Sequence, residues 1–343
     1  CHFIKSKRLI VLFCRYKYTK KMTIENRISA FEKLGDFLNG FTSSNTDNTH
    51  TLEKAIQQIV YKNGWFTPEN IRSSISAISY NLNRKNLSDW VTKYSIDNFP
   101  KKRVSIIMAG NIPLVGFHDL LCVLISGNKA IVKMSSKDNQ LLSILIDELI
   151  KIEPEFSNLI QISHSLVKEF DAVIATGNND SFKHFDYYFK EYPKILRRSR
   201  TSVAVLDGNE NLEERKSLAA DVFMYFGLGC RNVTKLFVPR GYNLDLLFEV
   251  FYDYKDVILN NKYANNYDYY KAIYLMGNQK IIENGFLILK EDKNLHSPVA
   301  VLNYEFYDDL DVLNSELDGI NEDIQCVVKK GGIPFGSAQF PKL

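Results

Sequence analysis

The chain has 343 residues, of which 45% are hydrophobic and 24% charged, with a formal net charge of +3. That length is too great for one small core and that composition is ordinary for a globular protein, so the reading is of two domains, with room for a third, rather than of a disordered or fibrous chain. Much of the basic excess lies in the first 21 residues, which leaves no face suited to a polyanion and argues against a nucleic-acid partner.

Those first residues, CHFIKSKRLIVLFCRYKYTKK, carry an apolar run only from Leu9 to Cys14, too short to span a bilayer. Residues 1–21 are therefore expected to be a non-native or disordered leader, with Met22 as the natural start. The five cysteines, Cys1, Cys14, Cys122, Cys230 and Cys326, are odd in number and include no CxxC pair. This pattern predicts a reducing, cytoplasmic setting without a disulfide framework. The six histidines have no metal-ligand spacing, so no metal is expected.

From Met22 the apolar residues Ile28, Phe31, Leu34, Leu38 and Phe41 recur at helical spacing, with a loop expected over Thr42 to Thr51. Further helices over Leu52 to Lys62, Pro68 to Leu82 and Leu87 to Tyr94 complete a helical N-terminal cap, residues 22–103. The character changes at Val104. Apolar strands at Val104 to Met108, Ala130 to Val132 and Asp171 to Ala175 alternate with helices over Val115 to Ile125 and Asn139 to Ile152. Strands without polar alternation are buried on both faces, so this βαβαβ run predicts a Rossmann-type parallel sheet, residues 104–206. Ligands bind such sheets beyond the carboxyl ends of the strands. The residues there are Gly110, Asn111, Ile112 and Pro113, then Lys133 to Ser136, then Thr176, Gly177 and Asn178. The alternative is that they are turn chemistry alone.

A second α/β domain is expected over residues 207–330, followed by a C-terminal segment, 331–343. Within it an apolar helical pattern runs from Asp221 into Gly227-Leu228-Gly229, and a strand resumes beyond Cys230. Glycines before the cysteine free the backbone and leave room for a second reactant beside the sulfur, as a nucleophile requires. The competing reading is a buried cysteine serving as a small hydrophobe.

In order along the chain, Ala109-Gly110-Asn111-Ile112-Pro113-Leu114, Gly127-Asn128 through Ser136, Ala175-Thr176-Gly177-Asn178, Phe226-Gly227-Leu228-Gly229-Cys230 and Pro334-Phe335-Gly336-Ser337 resemble motifs of the aldehyde dehydrogenase superfamily. The likeness is nearest to its fatty acyl-CoA reductase branch of the luminescence-system type. It implies an aldehyde-dehydrogenase-like α/β fold, Cys230 as nucleophile, and an oxyanion hole from the Asn111 amide and the Cys230 N–H. It also implies NADPH contacts from Gly110, Ile112, Pro113, Lys133, Ser135, Ser136, Thr176 and Gly177. For Asn111 a plain turn role stays open, as does a solvated strand end for Lys133.

The departures from the family pattern shape the expected chemistry. The stretch Lys194-Ile195-Leu196-Arg197-Arg198-Ser199-Arg200 lacks the glutamate base of hydrolytic members, and Asn294-Leu295-His296-Ser297-Pro298-Val299 lacks the second glutamate. Without a base, water competes poorly for a cysteine thioester, which favours reduction of an acyl thioester to an aldehyde. Serine at 136 with Lys137 beside it, in place of a ribose-binding carboxylate, favours NADPH over NADH. Arg231 either lowers the Cys230 pKa or makes a surface ion pair. No general acid is assigned to His184 or His296. The expected donor is acyl-CoA or another acyl thioester, with an acyl-transferring partner enzyme and self-association left open. An oxidative aldehyde or semialdehyde dehydrogenase and an inactive nucleotide- or acyl-binding homologue are the alternatives.

Overall fold

A computed structural model describes residues 22–42, 49–96, 99–165 and 169–343. The expected leader, with Cys1 and Cys14, lies outside the described residues. Four helices open the chain: α1 (Ile24–Thr42), α2 (Thr49–Lys62), α3 (Pro68–Asn81) and α4 (Arg84–Val91). Local chemistry sets their starts. Thr67 Oγ1 accepts the Asn70 N–H at 3.2 Å, with Pro68 at the first helical position, and Asn83 Oδ1 accepts the Asn86 N–H at 2.9 Å.

The first sheet comprises β1 (Arg103–Ile107), β2 (Lys129–Lys133), β3 (Ile160–Ile162), β4 (Ala172–Thr176) and β5 (Lys194–Arg197), all parallel, in the order β3-β2-β1-β4-β5. Its covering helices are α5 (Phe117–Ile125), α6 (Gln140–Ile152) and α7 (Asn179–Tyr188). Helices α1 to α4 share one core with β1, β2, α5 and α6, through residues such as Phe31, Ile75, Ile106 and Leu145. Each fully buried aliphatic or aromatic side chain of this kind contributes roughly 1.5–3 kcal/mol.

The second sheet runs β11-β6-β7-β10-β9-β8, from β6 (Thr201–Val205), β7 (Val233–Pro239), β8 (Ile281–Glu283), β9 (Ile288–Glu291), β10 (Val301–Tyr307) and β11 (Ile324–Val328). All pairings are parallel except β8 with β9. Strand β6, read from the sequence as the end of the cofactor domain, pairs with β7 and β11, so the first sheet stops at β5. Helices α8 (Leu212–Phe223), α9 (Asp245–Phe251), α10 (Asn261–Met276) and α11 (Leu310–Gly319) complete this half. A capping box starts α8: Asn211 and Glu214 exchange hydrogen bonds at 2.8 and 2.9 Å.

Helix α8 stops at Phe223, four residues before the glycine that the sequence suggests as its end. The reason is Asn232, fully buried, whose Nδ2 donates to the carbonyls of Asp221, Val222 and Met224 at 3.0, 3.3 and 2.7 Å. Its Oδ1 accepts the Gly229 N–H at 2.8 Å. The intervening Tyr225, Phe226 and Gly227 have φ of 54°, 57° and 75°. Left-handed backbone costs non-glycine residues about 1–2 kcal/mol each. The Tyr225 N–H is held by Asn70 Oδ1 at 3.2 Å, and the Phe226 ring packs on Trp65 and Tyr263 at 5.6 and 6.0 Å.

Asp221, 1% exposed, accepts the N–H groups of Gly336 and Ala338 at 2.6 and 3.0 Å, which docks the C-terminal segment beside this loop. Burial pushes its pKa up to about 6. The raised value means that ionisation costs folding stability, so this group's contribution is largest in acid and declines as pH rises toward 6.

Replacing Asn232 with alanine leaves buried carbonyls without donors, at about 1–3 kcal/mol for each group orphaned. The expected result is a total loss of about 3 kcal/mol or more in urea unfolding, with faster proteolysis at 224–231; an unchanged midpoint would show that the loop holds its shape without Asn232.

Candidate active site

Cys230 sits between the turn at Met224–Gly227 and β7, with its side chain open to a cleft of about 440 Å³. Ile112 and Pro113 from the turn after β1, and Thr176 from the end of β4, line the same cleft. The β1 turn is held in place by its neighbours: Asp138 Oδ2 accepts the Leu114 N–H at 2.6 Å, and Ser74 Oγ donates to the Pro113 carbonyl at 2.7 Å. Leu114 itself is left-handed, with φ 57°.

Asn111 reaches across the two sheets. Its Nδ2 donates to the Leu228 carbonyl at 2.7 Å, two residues before Cys230, and the amide's second N–H has no protein acceptor among the described residues. Gly229 permits this closeness, since a Cβ there would lie 2.9 Å from Asn232 Oδ1 and 3.5 Å from Ile112 Cδ1. Gly110 is likewise required to be bare, because its Cβ would meet Ser135 Oγ at 2.4 Å. The turns after β1 and β2 are thus pressed together. Gly177 packs the end of β4 on the first turn of α7, where a Cβ would lie 2.8 Å from Ser181 Cβ.

The sequence-derived residues therefore fall into two groups. Cys230, Asn111, Ile112, Pro113 and Thr176 converge on or beside the cleft. Gly110, Ser135, Lys133 and Gly177 frame the strand-end turns behind it, and Ser136 opens into a separate cavity of about 250 Å³. Arg200, which sequence order gives no reason to single out, lines both the Cys230 cleft and a further cavity of about 520 Å³ that contains Asn178 and His296. His184 is exposed on α7. The imidazole that lines the Cys230 cleft is His118, whose pKa is lowered by burial, and its Nε2 lies 3.5 Å from Cys122 Sγ.

Burial also bears on the Cys230 thiol. The sulfur faces the cleft, yet the surrounding walls displace bulk water, and this desolvation raises the Cys230 pKa above that of a free thiol; Arg231 and Arg200 pull it down without prevailing. Arg231 makes neither the surface ion pair nor a sufficient correction: its Nε donates to the Ala338 carbonyl. Among the described residues one side-chain carboxylate lines the cleft, Asp119, and it is paired with Arg197 at the end of β5 with only 5% of its side chain exposed. No carboxylate hydrogen-bonds to the Cys230 sulfur among the described residues.

A parallel sheet and a mixed, mostly parallel one that meet at Cys230 define an aldehyde-dehydrogenase-type fold, and solved structures agree. The putative aldehyde dehydrogenase PutA of Anabaena variabilis superposes with a TM-score of 0.66 over 94% of this chain and 82% of its own, at 12% identity. An indole-3-acetaldehyde dehydrogenase solved with NAD+ gives 0.65 over 90% and 76%, at 14% identity. More narrowly, the chain belongs to the acyl-CoA reductase (LuxC) family, whose sequence model matches residues 46–246. The long-chain acyl-protein thioester reductase of Vibrio harveyi is 29% identical over 157 residues, 40% of this chain and 32% of that protein. The long-chain acyl-protein thioester reductase 2 of Photobacterium leiognathi is 23% identical over 193 residues, 50% and 40% of the two. The matched stretches thus span well under half of these relatives.

Because burial raises the Cys230 pKa, the rate of its alkylation by iodoacetamide is expected to keep rising beyond about pH 8.5, the ordinary thiol value. Arg231→Gln and Arg200→Gln shift the profile further up. A plateau below about pH 8 in the wild type would overturn this account.

Proposed function

We propose that the chain takes a fatty acyl group from an acyl thioester onto Cys230 and reduces it to the aldehyde with NADPH. The observation that carries this reading is that Asp119, the one side-chain carboxylate among the described residues lining the cleft, is paired with Arg197. Attack by the thiolate forms the acyl-cysteine thioester and releases the donor thiol. The Asn111 amide, steadied by Leu228, and the Cys230 N–H are suited to hold the developing oxyanion, and such donors typically contribute about 3–4 kcal/mol each. A bound nicotinamide cofactor supplies the hydride, after which the aldehyde leaves and the thiolate returns. With no free base to activate water, the acyl-enzyme waits for reduction instead of hydrolysing.

The residues present fit such a cofactor. The three strand-end turns, with Lys133, Ser135, Thr176 and Gly177, open next to the N-terminus of α7, whose exposed N–H groups suit a pyrophosphate. Arg200 adds positive charge where the two cavities meet. The activity named for the Vibrio harveyi and Photobacterium leiognathi relatives supports the acyl thioester as substrate. Among the described residues no helix is long and apolar enough to cross a membrane, and a cytoplasmic setting with an acyl-transferring partner suits the reading.

Incubation with radiolabelled acyl-CoA should label the wild type and not Cys230→Ala. The label should persist without NADPH, since a positioned base is worth roughly 10²–10⁴-fold in thioester hydrolysis. NADPH should discharge it as aldehyde; fatty acid as the main product in both arms would refute the proposal.

Arg197→Met releases Asp119 from its partner. The expected outcome is a severalfold rise in fatty acid at the expense of aldehyde, measured by chromatography of the products. An unaltered ratio would mean that Asp119 is held off water by something other than Arg197.

A further inference from the structure

Helix α5 borders two cavities. Near its start His118 and Leu121 line the Cys230 cleft, while Cys122 and Ile125 toward its end form one wall of a second cavity of about 570 Å³. Positions 118, 121, 122 and 125 fall at helical spacing on one face, so a single stripe runs from one space to the other. At about 1.5 Å of rise per residue, His118 to Ile125 covers about 10 Å. The facing wall is α3 beside the cleft, through Ala77 and Ile78, and α4 with the chain just beyond it beside the cavity, through Trp90, Val91 and Tyr94. The two linings meet at a neck. The Trp90 and His118 ring centres are 6.1 Å apart, and His118 Nε2 lies 3.5 Å from Cys122 Sγ.

The cavity suits hydrocarbon. Its walls are mostly apolar, and polar groups at its edge are engaged with one another: Lys101 Nζ donates to the Ser126 carbonyl at 2.8 Å, Asn128 Oδ1 accepts the Lys102 N–H at 2.9 Å, and Asn128 Nδ2 donates to Ser126 Oγ at 2.8 Å. A ligand headgroup would have to compete for them, whereas an alkyl chain asks for none. The neck is equally tolerant. Burial lowers the His118 pKa and pushes the Cys122 thiol up to about 11, which leaves both neutral near pH 7.

We infer that this second cavity receives the far end of the substrate's acyl chain: the carbonyl stays at Cys230, the chain follows the α5 stripe past His118, and its terminal methylenes lie between α4 and α5. The inference deepens the reductase reading and rests on it for the acyl substrate. It makes preference for chain length a property of Trp90, Val91, Cys122 and Ile125, which stand apart from the reacting atoms.

Each methylene moved from water into an apolar space tightens binding about fourfold, so kcat/KM for acyl-CoA reduction should rise about tenfold or more from a 6-carbon to a 14-carbon chain. Cys122→Phe, which fills the cavity from a half-buried position, should remove most of that gain and leave the 6-carbon substrate unchanged; Cys122→Ser, which keeps the space, should behave as the wild type. Position is read by fluorescence on the Cys230→Ala chain, where no acyl transfer occurs. Trp90, one of two tryptophans, should be quenched by a 14-carbon acyl-CoA brominated at its terminal carbon and not by the 6-carbon counterpart. Trp90→Phe should abolish the quenching and Trp65→Phe should keep it. Quenching by the 6-carbon thioester as well would mean entry from the exposed rim at Tyr94 and Phe99 and would overturn the inference. So would an absence of quenching by the 14-carbon thioester, or a chain-length profile that is the same in Cys122→Phe and the wild type. Failure of the reductase reading would show instead as absent labelling of Cys230 at every chain length, which the fluorescence titration does not involve.

Discussion

One buried amide governs the centre of this molecule. Asn232 gathers three carbonyls and one N–H from a stretch of eleven residues upstream, and in doing so ends α8, turns the chain through three left-handed residues and delivers Cys230 to the floor of the cleft. Hydrogen bonds of this kind are worth about 1 kcal/mol each when made and more when broken. The left-handed backbone costs a comparable amount, so the loop persists because Asn232, Asn70 and the Trp65–Phe226 contact act together. The same loop presents the Leu228 carbonyl to Asn111, which couples the two sheets at the point where chemistry is proposed. The position of Cys230 is thereby tied to that of the Asn111 amide.

Electrostatics in the cleft follow from burial more than from charge count. Arg197, Arg200 and Arg231 all line it, yet the thiol remains harder to ionise than in water because desolvation outweighs two of them and the third is spent on Asp119. The pairing has a chemical effect beyond neutralisation. A buried carboxylate paired with a guanidinium is a poor acceptor for a proton from water, and among the described residues no other side-chain carboxylate lines the cleft.

Much of this was readable from residues and spacing. The apolar runs of β1, β2 and β4 are buried on both faces, as continuous apolar strands must be, and the turns that follow β1 and β4 line the cleft. Glycine at 110, 177 and 229 marked close approaches that the packing requires. What escaped was everything that depends on distant partners. Asp119 and Arg197 are 78 positions apart, and neither residue alone suggests the other. Arg231 stood beside Cys230 in sequence, but its effect is set by the walls that bury the thiol, which no local pattern encodes. A domain boundary drawn at 206 put β6 with the first half, because its apolar run is the same in either sheet.

The bond between Asp221 and the segment at 336–338 has an implication for how the molecule is made. Its two ends are 115 and 117 residues apart, and synthesis at about 5–20 residues per second separates them by roughly 6–23 s. During that interval Asp221 lacks the N–H groups that satisfy its carboxylate, Arg231 lacks the carbonyl of Ala338, and one wall of the cleft does not yet exist. The Cys230 cleft is therefore completed well after the strand-end turns of the first sheet are in place, and a nascent chain halted before residues 336–338 holds a complete first sheet and an unfinished cleft.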